Sequence, residues 1–243
     1  MNTETDQIAV KWRKPIGVLG GLGPLTSAEF MKTIYQLSLG EYEQNSPNVV
    51  LLSNPAFPDR TSAILAGNED ILIEPLTDSL QRLVDLGADN IVICCMTIHA
   101  VLHKVPSALR DRVLSLLDVI FDHVAENGGS HLIVCTKGTR QMKLFENHPR
   151  WDSTKNHFIL PDQDDLDTIH QMIYRLKSNS DLSEEVPILQ RLAEEYSADS
   201  FVSGCTEIHL LVKYLASSAH AAGRFSFVDP LVIIAQKIAA GRL

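Results

Sequence analysis

The stretch NIVICCMTIH at residues 90–99 has a close counterpart in SFVSGCTEIH at residues 200–209. Each begins as a short apolar run rich in β-branched side chains, which is typical of a buried strand. Each then ends in a cysteine, Cys95 or Cys205, with a histidine four positions later. The repetition predicts two halves of similar build, each of which presents a thiol at the end of a strand.

Further apolar runs of this kind alternate with segments of helical spacing. The clearest helix has apolar residues at 73, 76, 80, 83 and 86, and Gly87 follows in the position expected of a C-cap. Strand alternating with helix predicts an α/β fold in which mostly parallel sheets are flanked by helices. We expect strands at 15–21, 48–54, 90–95, 131–136, 157–160, 199–205 and 225–229, and further helices beginning near residues 25, 115, 164, 183, 207 and 231.

The two cysteine segments divide the chain into two lobes. We expect the first lobe, with Cys95, to cover residues 14–117 together with 216–243, whose strand and helix return to it. The second lobe, with Cys205, would cover 118–215, and residues 1–13 would form a flexible N-terminal extension. Ligands of such sheets bind at the carboxyl ends of the strands, where both cysteines fall.

Composition restricts the class of partner. The 243 residues carry a formal net charge of −9, which argues against a nucleic-acid or anionic-membrane partner. No window approaches the roughly 18 uninterrupted apolar residues of a membrane span, and the N-terminus lacks the apolar segment of a signal peptide. We therefore expect a cytoplasmic protein that binds a small molecule, with its four cysteines kept as free thiols.

Two thiols on opposite walls of one cleft suggest a specific chemistry. A thiol with a pKa near about 8.5, lowered by a helix N-terminus or a nearby cation, is poised between thiolate and thiol. Two such groups could remove a proton from one face of a carbon and return one to the other face. That is stereoinversion without a cofactor, provided that fixed donors and cations stabilise the intermediate.

Six collinear motifs carry a resemblance to a known family. They are GVLGGLGPLTSAEF at 17–30, PDRT at 58–61, CMTIH at 95–99, KGT at 137–139, IYRLK at 173–177 and GCTEIHLL at 204–211. Together they resemble the cofactor-independent aspartate/glutamate racemase family, from about residue 15 to about residue 240. The resemblance implies two pseudo-symmetric α/β lobes with the active site in the cleft between them, no cofactor, no metal and a homodimer.

The resemblance also implies roles for individual residues. Cys95 and Cys205 match the catalytic cysteines, and Arg60 and Lys177 match basic residues that would hold carboxylates. Positions expected to contact the substrate are Arg60, Met96, Thr97, Thr139, Lys177 and Thr206, where Met96 replaces the usual asparagine. Supporting residues are expected at Gly21, His99 and Glu207, the glycine because it lets its loop approach the ligand closely.

Other interpretations stand beside this one. Cys94 and Cys135 are expected to be packing residues, since neighbours on a strand point to opposite faces. Cys95, His99, Cys205 and His209 could instead bind zinc, although zinc ligands usually lie in tight knuckles. His209 falls where the family is usually apolar or small, so the repeated histidine is expected to be partly coincidence.

The leading hypothesis is racemisation of L-aspartate and D-aspartate without pyridoxal phosphate, with glutamate as the second choice. An alternative on the same scaffold is maleate isomerisation or another reaction of related folds, such as arylmalonate decarboxylation. A further alternative, from a different class, is a catalytically silent amino-acid-binding protein in which Met96 marks lost activity.

Overall fold

The computed structural model describes residues 14–178, 181–217 and 225–243 of the chain. The strands are β1 (Ile16–Gly20), β2 (Val49–Ser53), β3 (Asn90–Ile93), β4 (His131–Val134), β5 (Phe158–Ile159), β6 (Ser200–Ser203) and β7 (Phe227–Val228). The α-helices are α1 (Pro24–Ser38), α2 (Arg60–Leu65), α3 (Ile73–Asp85), α4 (Ser107–Arg110), α5 (Leu116–Asn127), α6 (Lys137–Gln141), α7 (Trp151–Thr154), α8 (Gln163–Lys177), α9 (Val186–Tyr196), α10 (Ile208–Ser217) and α11 (Pro230–Ala239). The seven strands all fall within the predicted apolar runs.

The strands form two separate parallel sheets, as the two-lobed α/β prediction requires. The first has the order β2-β1-β3 and the second the order β5-β4-β6-β7. Helices connect the strands, because parallel neighbours need a crossover. Consequently β3 and β6, which carry the two cysteine segments, deliver their carboxyl ends to the loop-rich edges of different sheets.

Side chains alternate between two environments along each central strand. In β3 and the two residues after it, Val92 and Cys94 enter an apolar cluster shared by the two halves, whereas Ile93 and Cys95 enter a cluster confined to the first half. Cys135 also lies in the shared cluster. The prediction that Cys94 and Cys135 are packing residues is confirmed. Burial raises the pKa of both thiols, that of Cys135 to about 12.

The sheet that the last strand joins differs from the prediction. The strand from segment 216–243 was expected in the first lobe, but β7 pairs with β6 and extends the second sheet. The edge of β6 that does not pair with β4 still has backbone N–H and C=O groups to satisfy, and β7 pairs with them. Helix α11 does reach the first half: Leu231 and Ile234 share an apolar cluster with Phe30 and Ile34 of α1. The predicted extension 1–13 lies outside the described residues.

Local sequence signals position the helix starts near the site. Pro24 begins α1 directly after Gly23, and Asp59 caps α2 by accepting from the backbone N–H of Ser62 at 2.8 Å. Asp229 caps α11 in the same way through Leu231. Within the described part of the chain, no helix has the length and apolar character to cross a membrane.

The loop after β1 depends on a glycine at one position. Gly21 has a φ of 84°, and a Cβ built on it would lie 2.3 Å from the backbone N of Asn54. This loop packs directly on the end of β2, where the Asn54 N–H donates to the Gly20 carbonyl at 3.1 Å. A side chain at position 21 would therefore require a strained backbone conformation and would also push the ends of β1 and β2 apart.

Replacing Gly21 with alanine should lower the free energy of unfolding by about 3 kcal/mol, since backbone strain and steric overlap both contribute. Gly67 is the matched control, because its φ is 67° but nothing lies within 4 Å of an added Cβ. Gly67→Ala should cost only about 1 kcal/mol. Urea unfolding of both variants measures the difference, and equal costs would contradict the close approach at Gly21.

Candidate active site

Cys95 and Cys205 follow the carboxyl ends of β3 and β6 and lie in turns of matching geometry. Both are buried, with 7% and 4% of their surface exposed. In the first turn the backbone N–H of His99 donates to the Met96 carbonyl at 3.0 Å, and in the second that of His209 donates to the Thr206 carbonyl at 3.1 Å. The charge on Cys95 contributes to the raised pKa of Cys205, so the two thiols lie within electrostatic range of each other.

Cys205 lies beside the carboxylate of Glu207 and within the influence of the ammonium of Lys177. Its thiol donates to Oε2 of Glu207 at 2.8 Å, while Oε1 of the same carboxylate is buried without a partner. Burial and the charge of Glu207 raise the pKa of Cys205 well above its usual range, and Lys177 opposes them. Burial alone would lower the pKa of Lys177, but the charges of Cys205 and Glu207 outweigh it and raise that pKa.

Arg60 is the cation beside Cys95. Burial alone would lower the pKa of Arg60, but the charge of Cys95 and those of the neighbouring carboxylates outweigh it and raise that pKa. The guanidinium is 8% exposed and donates to the carbonyl of Pro58 at 3.1 Å and to that of Leu22. Its Nε remains buried without a partner, so a donor is free to bind an anion.

Threonine hydroxyls join the two halves around the cysteines. The Thr97 hydroxyl shares hydrogen bonds of 2.9 Å with Thr139 of α6 and 3.2 Å with Thr136, which caps the same helix after β4. The Thr206 hydroxyl donates to the carbonyl of Cys94 at 3.1 Å. We call Thr97, Thr136, Thr139 and Thr206 the threonine seam. Its members are at most 3% exposed, so these bonds are made in a dry environment.

A second contact between the halves lies at Asp59. Tyr174 of α8 donates to Oδ1 of Asp59 at 2.9 Å, and the Lys177 ammonium lies 3.7 Å from Oδ2. The same ammonium lies 4.1 Å from the centroid of the Tyr174 ring. Burial would raise the pKa of Asp59, but the hydrogen bond from the Ser62 N–H and the charge of Lys177 outweigh it, and that pKa falls to about 2.

Gly23 brings the loop after β1 to the second cysteine. A Cβ built on Gly23 would lie 2.4 Å from Oε1 of Glu207, so a larger residue would displace this carboxylate. Gly138 has a similar role between α6 and α2, where an added Cβ would lie 2.9 Å from the Thr61 hydroxyl oxygen. The loops that follow β1, β2, β4 and β6 thus meet at one place.

His99 and Met96 lie in the turn after Cys95. The His99 ring contacts the Cys95 carbonyl through Nδ1 at 3.0 Å, and burial lowers its pKa. A neutral ring therefore donates its single proton to that carbonyl. Met96, predicted to contact the substrate, instead lies fully buried in the shared apolar cluster. An apolar thioether packs there at no desolvation cost, which a side-chain amide would incur.

Most of the sequence-predicted site residues come together, but three in an unexpected way. The hydroxyls of Thr97, Thr139 and Thr206 are bonded within the seam rather than free for a ligand. Sequence reasoning missed Asp59 and Tyr174, although both lie inside motifs that it singled out. The structure does not group the four residues of the zinc alternative: among the described residues no three or more His, Cys, Asp or Glu lie close enough together to hold a metal, and His209 contacts Thr33 and Asp229 instead.

The site thus consists of two buried thiols, one from each half, with a cation beside each. Residues 19–238 match the family described as Asp/Glu/Hydantoin racemase. The chain belongs to this family.

Solved structures with the same fold include three racemases of low sequence identity. Picrophilus torridus aspartate racemase is 20% identical, with a TM-score of 0.78 over 94% of both chains. Glutamate racemase from Francisella tularensis, in complex with D-glutamate, is 14% identical, with a TM-score of 0.62 over 93% of this chain and 80% of that one. Allantoin racemase from Klebsiella pneumoniae is 15% identical, with a TM-score of 0.55 over 93% and 86%.

The depressed pKa of Asp59 predicts a pH dependence of stability. Its carboxylate stabilises the fold above the unfolded-state pKa of about 4, and the contribution is lost as pH falls toward the folded value of about 2. Asp59→Asn should therefore reduce the unfolding free energy by about 1 kcal/mol at pH 7, after allowance for the partial exposure of this group, and by less at pH 3. Unfolding by urea at the two pH values measures this, and a deficit that does not shrink at pH 3 would contradict it.

Proposed function

We propose that this protein racemises an acidic amino acid, aspartate first and glutamate second, by two-base proton transfer between Cys95 and Cys205. The observation that carries the proposal is the pair of buried thiols, one from each half of the molecule, in two turns that the Thr206 hydroxyl joins by donating to the Cys94 carbonyl at 3.1 Å. One cysteine as thiolate removes the α-proton from one face. The other as thiol donates a proton to the opposite face, which leaves the two cysteines with their protonation states exchanged.

The raised pKa of Cys205 supports an order of events. Since burial and Glu207 favour its thiol form, Cys205 is the proton donor when a ligand-free site first binds the enantiomer whose α-hydrogen faces Cys95. Oε2 of Glu207, 2.8 Å from the sulfur, accepts the hydrogen bond of the Cys205 thiol until that proton is donated to the substrate. After one turnover the roles are reversed, so the site is ready for the other enantiomer.

The charges around the thiols suit a dicarboxylic amino acid. Arg60 and Lys177 supply two cations for two carboxylates, and the unpartnered Nε of Arg60 is available to one of them. The unpartnered Oε1 of Glu207 is an acceptor that an α-ammonium could use. The same cations would stabilise the negative charge that develops when the α-proton leaves.

Two alternatives remain within reach of this site. Maleate isomerisation would also use two cysteines and two cations, but it would leave the acceptor on Glu207 without an ammonium to bind. A silent binding protein would keep the cations and lose proton transfer. The homodimer and the cytoplasmic location stay predictions from the sequence.

A screen for α-deuterium incorporation tests the proposal. In deuterated water the protein should incorporate deuterium at the α-carbon of aspartate, and less readily of glutamate, because only these substrates use both cations. Nuclear magnetic resonance of the amino-acid pool provides the readout. Turnover of maleate without exchange in aspartate would favour the isomerase, and tight aspartate binding without exchange would favour the binding protein.

Single cysteine variants test the two-base assignment. Cys95→Ala and Cys205→Ala should each lower racemisation by about 1,000-fold or more, since one proton transfer loses its catalyst. Each should retain exchange with the one enantiomer that faces the remaining thiol. Cys135→Ala is the control, because this thiol is equally buried, packs in the shared apolar cluster and has no part in the proposed proton transfer. Racemisation by either single variant at wild-type rate would refute the assignment.

A further inference from the structure

His209 is buried in a polar network that no sequence motif predicts. Its Nδ1 donates to Oδ2 of Asp229 at 2.7 Å, and its Nε2 lies 3.1 Å from the Thr33 hydroxyl oxygen. The three residues are 0%, 2% and 1% exposed. With the ring proton on Nδ1, the Thr33 hydroxyl donates to Nε2, so both ring nitrogens are satisfied away from water.

The ring is attached to the turn that carries the second cysteine. The backbone N–H of His209 donates to the Thr206 carbonyl at 3.1 Å, and that of Ile208 donates to the Cys205 carbonyl at 3.2 Å. These two bonds close the turn between β6 and α10. A displacement of the His209 ring is therefore transmitted to Cys205 through a single turn of backbone.

The partners of the ring belong to two other elements. Thr33 lies on α1, and Asp229 caps α11 through the N–H of Leu231 at 2.9 Å. Helix α1 also begins directly after Gly23, which abuts Glu207. The Cys205 turn is thus fixed to the first half at two points along one helix, by Gly23 at its start and by Thr33 further along.

We propose that His209, held by Thr33 and Asp229, is a positioning residue that sets where Cys205 lies relative to the substrate. The inference rests on the proposed function. A hydrogen bond to a buried imidazole fixes ring orientation, and proton transfer is sensitive to displacements of about 1 Å. His99 is its counterpart in the first half, but it contacts the Cys95 carbonyl directly, within its own turn.

Isotope effects distinguish positioning of Cys205 from general damage. The two enantiomers have equal free energy, so kcat/KM is the same in both directions and cannot reveal which thiol is displaced. Deuterium at the α-carbon slows only the first proton abstraction from the enantiomer that carries it. When Cys205 is displaced, proton transfer to or from its sulfur becomes slower and limits the overall rate more. The isotope effect on kcat/KM then rises for the enantiomer facing Cys205 and falls for the other.

The test uses the full-length protein with His209→Leu and the milder Thr33→Val, which keeps side-chain shape and removes one hydroxyl. We expect kcat/KM for aspartate to fall about tenfold for His209→Leu and about threefold for Thr33→Val. In both, the isotope effects should move in the directions given above. His99→Leu should move them in the opposite directions. Thr154→Val is the matched control. The Thr154 hydroxyl is also buried, lies at the end of α7 and donates to the Arg150 carbonyl at 2.8 Å.

Unchanged isotope effects in both Thr33→Val and His209→Leu would overturn the inference, whether or not the rate falls. A second readout does not need turnover: the rate at which iodoacetamide alkylates Cys205 relative to Cys95, followed by peptide mass spectrometry. The ratio should change at least about threefold in Thr33→Val, and an unchanged ratio would count against positioning. If the wild-type protein transfers no proton, the proposed function fails and the alkylation ratio alone decides this inference.

Discussion

Hydrogen bonds between buried threonine hydroxyls hold the carboxyl ends of the two sheets against each other. The Thr97–Thr139 and Thr206–Cys94 bonds, 2.9 and 3.1 Å long, are made where water is excluded. Breaking one leaves a buried polar group unsatisfied, which costs about 1–3 kcal/mol. Since β3 and β6 belong to different sheets, no strand ladder fixes the distance between Cys95 and Cys205. The threonine seam does so, together with Asp59 bound to Tyr174.

The electrostatics of the site follow from this enclosure. Four ionisable side chains, Arg60, Lys177, Cys205 and Glu207, lie close together, with the cysteine and the glutamate 4% and 2% exposed. Each buried charge is tolerated because an opposite charge lies near it. The pKa values of Arg60, Lys177 and Cys205 are all raised, so the site holds a protonated thiol and two cations close together. Perturbed groups of this kind concentrate at functional sites, where burial and specific partners act together.

How much of this arrangement could be predicted from the sequence depends on how far apart along the chain the contacting residues lie. Strand positions and the opposite orientation of Cys94 and Cys95 follow from local periodicity, which is why they were correct. The placement of β7 was wrong, because a two-residue strand contains no signal for the sheet that it joins. Partners separated by more than 100 residues, such as Tyr174 with Asp59, leave no local pattern either. The hydrogen bond of His209 with Thr33, which is 176 residues away, likewise left no local signal, and the repeated histidine was expected to be partly coincidence.

A crystal structure with aspartate or a close unreactive analogue bound would test the central claim most directly. The account predicts that the α-carbon lies between the two sulfur atoms, about 3.5 Å from each and on opposite faces, with the carboxylates on Arg60 and Lys177. If both sulfurs approach the same face, or if one stays beyond reach of the α-carbon in the closed complex, two-base inversion by Cys95 and Cys205 is contradicted.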